Sequence, residues 1–284
     1  MNQATLRDVL RIDGVGVHTG SHAHVDVHPA PFGSGIVFLL QPANGSGNAV
    51  RVPASAEYIV DTSLATVIGR DGATVSTIEH LLSALLGMGV SDAEIHVSGP
   101  EIPIVDGSAK HFVEQIATIG LDIDTVPRPE FVVEQSFELR EGDRAVIVLP
   151  ADAFRVRFVA DYEPPIGTHY FSRAIEPQGY RHEIAAARTF AYLRDVEAMR
   201  ARGLALGGSL DNALVFDTDG PMQTLRWPNE TVRHKVLDLI GDFALLGAWP
   251  RCEIIGIKSG HGLHAKATRA LRERARVAST AGTA

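Results

Sequence analysis

Cysteine occurs once in the 284 residues, at Cys252, and a single thiol excludes an intramolecular disulfide. The residues beside it, EIIGI at 253–257, have the pattern of a buried strand, so inert packing is its expected role. Positive charge is also in deficit. Lys and Arg number 26 against 34 Asp and Glu, a formal net charge of −8. That excludes a general nucleic-acid binder, whose affinity comes from neutralising phosphates with clustered cations. A small anionic substrate stays open through a few local cations. Long apolar runs are missing as well. Residues 81–90 cover about half of the roughly twenty positions needed to cross a bilayer, so no transmembrane segment is expected. Residues 1–17 mix charged and apolar positions without the apolar core of a signal peptide, and the chain is expected in the cytoplasm. What is present, 45% hydrophobic and 21% charged residues, is the composition of an ordinary globular protein with one large or two medium domains.

Residues 233–242, RHKVLDLIGD, organise the rest. Val232, Val236, Leu239, Ile240 and Phe243 recur at the spacing of a buried helix face. On the same period His234, Asp238 and Asp242 stack one turn apart. Such a stripe either presents two ligands to a metal ion from a rigid helix or is a solvated face paired with Arg233 and Lys235. A second tract, HAHVDVH at 22–28, alternates His and Asp with Ala and Val; its apolar side needs a core and its His side can face water.

The chain repeats itself. Residues 77–87, TIEHLLSALLG, align with 231–241, TVRHKVLDLIG, sharing Thr, a β-branched residue, His, Leu and Gly at the same offsets. Each segment precedes a strand ending in Ser-Gly, at 94–99 and 255–260. The chain therefore reads as two copies of an α+β unit, 1–126 and 127–284, joined at the proline-rich 126–130. The four residues 69–72, GRDG, separate two strand-like runs and predict a hairpin. Residues 131–163 read as further hairpin strands, 266–276 as a basic helix, and the small residues beyond as a frayed tail.

Two packed copies bring His80 and His234 to one interface. With Asp238 they make three ligands and leave a fourth position open, the form of a catalytic zinc site. Glu79 then stands where a base would take a proton from water. It also fits a capping box with Ser76, in which it only satisfies a helix amine. Two His and one carboxylate suit non-haem iron oxygenases too, although an adjoining carboxylate base favours hydrolysis.

Seven segments in order, GVGVHTG at 14–20, STIEH at 76–80, PEIPIVDGS at 100–108, ARTF at 187–190, LGGS at 206–209, RHKVLDLIGD at 233–242 and KSGH at 258–261, make this sequence resemble the UDP-3-O-acyl-N-acetylglucosamine deacetylases, zinc amidases of lipid A synthesis, from about residue 5 to 271. The resemblance implies that His80, His234 and Asp238 hold Zn2+, that Glu79 activates water, and that His261, oriented by Asp242, protonates the leaving amine. It implies roles for Thr189 and Lys235 at the oxyanion and the substrate, and for Lys258 in substrate binding. It also implies two α+β halves with helices facing each other around the metal. An insert from Phe190 to Val215 would form a passage for the substrate's acyl chain, with Tyr192, Val196, Ala205, Gly208, Ala213 and Val215 as lining. The stretch 162–172 is shorter than in many relatives, which leaves the uridine-side contacts unassigned. No further catalytic domain is expected after the last helix, and the expected working unit is a monomer acting on a UDP-linked acylated amino sugar. The competing readings are a zinc amidase of this fold with another N-acyl substrate, and a binding protein that has lost the chemistry.

Overall fold

The computed structural model describes residues 1–42, 48–274 and 276–278. Alternation decides the first sheet: in strand His22–Pro29, Ala23, Val25 and Val27 are buried and the His and Asp positions point away from the core. That strand lies between Leu10–Val15 and Ala93–Ser98, antiparallel to both. Ala93–Ser98 continues parallel to Ile36–Leu40, and Val50–Pro53 closes the edge. The second sheet has the same plan. Phe137–Glu141 pairs with Arg144–Pro150, which pairs with Trp249–Ile257; that strand runs parallel to Arg155–Asp161, followed by Thr168–Ala174. In each of these five-strand runs the central strand is the last in sequence, so the repeat seen in two helices extends to strand order.

Six helices are described: α1 Glu79–Met88, α2 Lys110–Ile119, α3 Pro177–Glu183, α4 Leu193–Ala201, α5 Glu230–Ala244 and α6 His261–Arg274. None is long and apolar enough to cross a membrane. The protein is thus mixed α and β, two like sheet-and-helix units with α1 and α5 face to face between them. Every residue of α1 from Glu79 to Gly87 is buried. In α5 the apolar face is buried, and so are His234, Asp238 and Asp242; the polar stripe is not a solvated face. The helices cross closely because Gly241 lacks a side chain: a Cβ there would lie 2.0 Å from the carbonyl oxygen of Glu79. Its counterpart Gly87 lies under the Tyr180 ring, where a Cβ would be 2.5 Å from ring carbons.

Each unit carries a small three-stranded insert between its fourth strand and its central helix. The first comprises Ile59–Asp61, Val67–Arg70 and Ala73–Val75. Its hairpin turns on Asp71 and Gly72, both at positive φ (49° and 79°), as a two-residue turn of that hand requires. The second comprises Phe190–Tyr192, Leu214–Asp217 and Gly220–Pro221, with α4 inside its longest connection. The first strand, Asn2–Leu6, pairs with Leu121–Pro127, and Glu130–Val132 pairs with Trp249–Arg251, so the chain passes between the two sheet systems over Arg128 and Pro129.

Two local expectations are corrected. The basic C-terminal helix starts at His261, not 266, because the amides of Leu263 and His264 both bond the Gly260 carbonyl and Leu263, Ala267 and Leu271 supply a buried face. Arg276 lies beyond it, in strand Arg276–Ala278, which pairs with Glu130–Val132. The tail beyond 278 lies outside the described residues. The capping box at 76–79 does not form: Ile78 precedes α1 without a side-chain cap, and Thr77 sits at φ 58° with its hydroxyl donating to Glu101. Cys252 is buried in its strand, and burial pushes its thiol up to about 12.

Candidate metal centre

The facing of α1 and α5 brings His80 to His234 and Asp238. The ring centroids of the two histidines are 5.0 Å apart and perpendicular. Asp238 Oδ1 lies 3.3 Å from His234 Nε2 and 3.7 Å from His80 Nε2. Zinc bonds of about 2.0–2.2 Å at a tetrahedral angle place neighbouring ligand atoms roughly 3.3–3.6 Å apart. One donor from each of the three residues falls within a common 4.8 Å, so the set fits one ion. His234 Nδ1 donates to the Ala187 carbonyl at 3.0 Å, which leaves Nε2 with its lone pair toward the centre. Burial, helped by the nearby His80 and Lys235, lowers the His234 imidazole to about 4, so it is neutral, as a ligand must be. Burial alone would raise the Asp238 carboxyl. The adjacent His234 and the Lys235 ammonium overcome it and keep the carboxylate ionised. Lys235 Nζ donates to Asp238 Oδ2 at 2.6 Å, and despite its burial that partner holds it firmly as a cation.

A carboxyl and an imidazole, Glu79 and His261, stand beside these three. Glu79 Oε1 and His261 Nε2 are 3.8 Å apart. Burial raises the Glu79 carboxyl above its ordinary 4.5, against the pull of His261 and His80. His261 goes the other way: burial would lower it, but Asp242 and Glu79 lift it to about 9, so it is an imidazolium at neutral pH. Asp242 Oδ2 receives His261 Nδ1 at 2.8 Å and His264 Nδ1 at 2.7 Å, and Oδ1 accepts the Thr66 hydroxyl. His264 Nε2 meets the Ser259 hydroxyl at 2.9 Å. Asp242, His261 and His264 could also be counted as a metal cluster. Their contacts are hydrogen-bond lengths converging on one oxygen, which describes an orienting carboxylate, not an ion cage.

Both groups open into one cavity of about 750 Å³. Glu79, His80, His234, Lys235, Asp238 and His261 line its inner end, and Thr189 joins them. The outer part runs through the second insert, where Phe190, Tyr192, Val196, Ala205, Gly208, Ala213 and Val215 all line it. Asp242 lies behind His261 and does not reach the cavity. Lys258 stands apart. Its backbone is left-handed at φ 50°, and its amine pairs with Asp143 at 2.6 Å and Asp161 at 3.1 Å. The histidines of strand His22–Pro29 stand apart too, His24 being bound between Asp13 at 2.8 Å and Asp26 at 3.0 Å.

Several site residues escaped the sequence reading. Thr66 ties Glu79 to Asp242, its amide donating to Glu79 Oε2 at 3.1 Å and its hydroxyl to Asp242. No local pattern marks it, because its partners are brought by the fold. His264 had a signal, the i, i+3 spacing from His261 on one helix. Glu101 was legible only as part of a motif. Its carboxylate accepts from the amides of His18 and Thr19 and the hydroxyls of Thr19 and Thr77, which pins the 14–20 turn against α1 and sets His18 on the cavity wall.

The comparisons with known proteins bear on the whole of this arrangement. Residues 3–273 match the family model of UDP-3-O-acyl N-acetylglycosamine deacetylase, LpxC. A UDP-3-O-acyl-N-acetylglucosamine deacetylase of Anaeromyxobacter sp. (strain Fw109-5) is 44% identical over 93% of this chain and 86% of its own length. Proteins of the same name from Myxococcus xanthus and Chromohalobacter salexigens are 41% and 39% identical, over 94% and 95% of this chain and 85% and 90% of theirs. The match spans both sheet units, both inserts and all of the residues gathered at the inner end of the cavity, so the chain belongs to the UDP-3-O-acyl N-acetylglycosamine deacetylase family.

Proposed function

We propose that this protein is a zinc-dependent amide hydrolase of the cytoplasm that removes the N-acetyl group from UDP-3-O-acyl-N-acetylglucosamine and releases acetate, the committed step of lipid A synthesis. The observation that carries the reading is a single cavity holding a three-donor cluster and an oppositely poised carboxyl and imidazolium at one end, with an apolar passage at the other. His80, His234 and Asp238 would hold zinc, which would supply a Lewis acid for the amide carbonyl and lower the pKa of water. Glu79 accepts a proton at Oε1 from the attacking water as its oxygen bonds to the carbonyl carbon. Thr189 and Lys235 face the oxygen on which negative charge then develops. His261 gives the proton on Nε2 to the sugar nitrogen as the carbon–nitrogen bond breaks, leaving acetate and a free amine. Asp242 stabilises the imidazolium and fixes its orientation. The test is acetate release from the UDP-sugar substrate by purified protein with and without added zinc; release at neutral pH that a chelator abolishes and zinc restores is the expected result, and none under either condition would refute the activity.

Glu79→Gln keeps the shape of the side chain and still accepts a bond from the Thr66 amide, but it cannot take a proton. Activity is expected to fall about a hundredfold or more, with the melting temperature nearly unchanged. Normal turnover with a lowered melting temperature would make Glu79 structural. The pH profile gives a separate check on His261. As the acid it must be protonated, so kcat/KM is lost as pH rises through its pKa. Asp242 is the foremost of the groups that raise that pKa, so Asp242→Asn moves the alkaline limb to lower pH, by about one unit or more. A limb that stays in place would assign it to another group.

A further inference from the structure

A second cavity, of about 290 Å³, opens where α1 and α5 end, at the far end of the helix pair from the metal centre. Its lining is half apolar, with Ile36, Leu86, Val90 and Trp249, and it contains one cation, Arg128 of the crossing between the two units. Arg128 is only 3% exposed and its guanidinium lies 3.5 Å from the centroid of the Trp249 ring. Among the described residues its Nε and Nη2 have no hydrogen-bond partner and no carboxylate stands within ion-pair distance. Stacking on an indole and the negative ends of two helices make a buried cation tolerable. They leave two donors unpaired, and burial depresses even this guanidinium to about 10, with only Glu130 opposing.

We propose that this cavity is a binding site for a small monocarboxylic acid with an apolar body, its carboxylate taken by Arg128. Nε and Nη2 share one edge of the guanidinium, the edge that meets two carboxylate oxygens with parallel bonds. The acidic groups nearby select a single charge. Asp92 lines the cavity, both oxygens committed, Oδ1 to the Gly35 amide at 2.8 Å and Oδ2 to the Ser91 hydroxyl at 2.6 Å. Glu130 faces Arg251 at 3.9 Å. A dianion such as phosphate would meet repulsion from both and from the helix ends, and it would leave the apolar wall bare. The volume, at the lower end for small-molecule sites, suits an acid the size of hexanoate or benzoate.

Carboxylates also bind metals, so the test must report on this cavity alone. Trp249 does so. Its ring forms the floor under Arg128, whereas the only other tryptophan, Trp227, stacks with Arg233. Titration of hexanoate into the intact protein, followed by the two indole N–H resonances, is expected to shift Trp249 saturably, with a dissociation constant on the order of 1 mM or tighter, and to leave Trp227 in place. Arg128→Gln is expected to weaken binding at least tenfold. Should that variant not fold, Ala248→Leu, which fills the cavity from a half-buried position, is expected to abolish the shift. No saturable Trp249 shift, a shift that survives Ala248→Leu, or an equal shift with inorganic phosphate alone would each overturn the proposal.

Discussion

Replacing His80 with alanine is expected to strip the protein of zinc and of activity together while leaving it folded. The site supplies only three donors, two nitrogens and one oxygen, from helices that the close crossing at Gly241 locks together. Loss even of a group that merely supports a metal ligand costs 10–100-fold in affinity, so loss of a ligand is expected to cost about a hundredfold at least. Wild type should carry about one ion per chain. Asp238→Ala is expected to lose the metal as well, with an added penalty. Its carboxylate is the partner of Lys235, whose side chain is 14% exposed, and a buried charge left alone costs about 3–5 kcal/mol. The two variants should therefore agree in zinc content and differ in melting temperature. The comparison that can sink this assignment is a triple substitution of His22, His24 and His28. If zinc leaves that protein and stays in both others, the ion is held on the outer sheet face.

How much of this is legible in the sequence depends on how far apart the partners lie. The stripe of His234, Asp238 and Asp242 is readable because helical period alone stacks them. The doubling of the fold is readable at 77–87 and 231–241, and the strand order of the two sheets follows the same duplication. Glu79 shows the limit. Its local context offers a capping box, a reading satisfied within four residues, yet its carboxylate bonds the amide of Thr66, thirteen residues away in the loop before strand Val67–Arg70. Thr66 in turn reaches Asp242 across 176 positions. No periodicity predicts a contact of that kind. Lys258 follows the strand that leads to His261, and its amine pairs with Asp143 and Asp161, partners that no local pattern connects to it. Arg128 reads as part of a linker, and only the packing of Trp249 reveals it as a buried cation.

The passage through the second insert leads to the other large effect. Its wall is mostly apolar, interrupted by Asp195, Arg200 and Ser209, and the cavity it belongs to is continuous with the metal centre. A chain of a dozen or so carbons offers roughly 0.8 kcal/mol per buried methylene, so even partial burial is worth several powers of ten in binding. A substrate lacking the 3-O-acyl group is therefore expected to lose at least about a thousandfold in kcat/KM. Part of that loss should appear in kcat, because binding energy remote from the amide can hold it over the reacting groups. Gly208→Leu and Ala213→Phe narrow the passage from opposite ends of the turn at 208–213. A Cβ at Gly208 already meets the Ala205 carbonyl at 3.2 Å, so a leucine there must project into the open space. Both variants are expected to reproduce the loss with the acylated substrate, to keep their zinc, and to leave the slow reaction of the unacylated substrate nearly unchanged. Steady-state kinetics of both substrates on wild type and both variants makes the comparison. Equal kcat/KM for the two substrates on wild type would remove the acyl chain from recognition, and the zinc amidase would then have to be assigned a different N-acetyl compound.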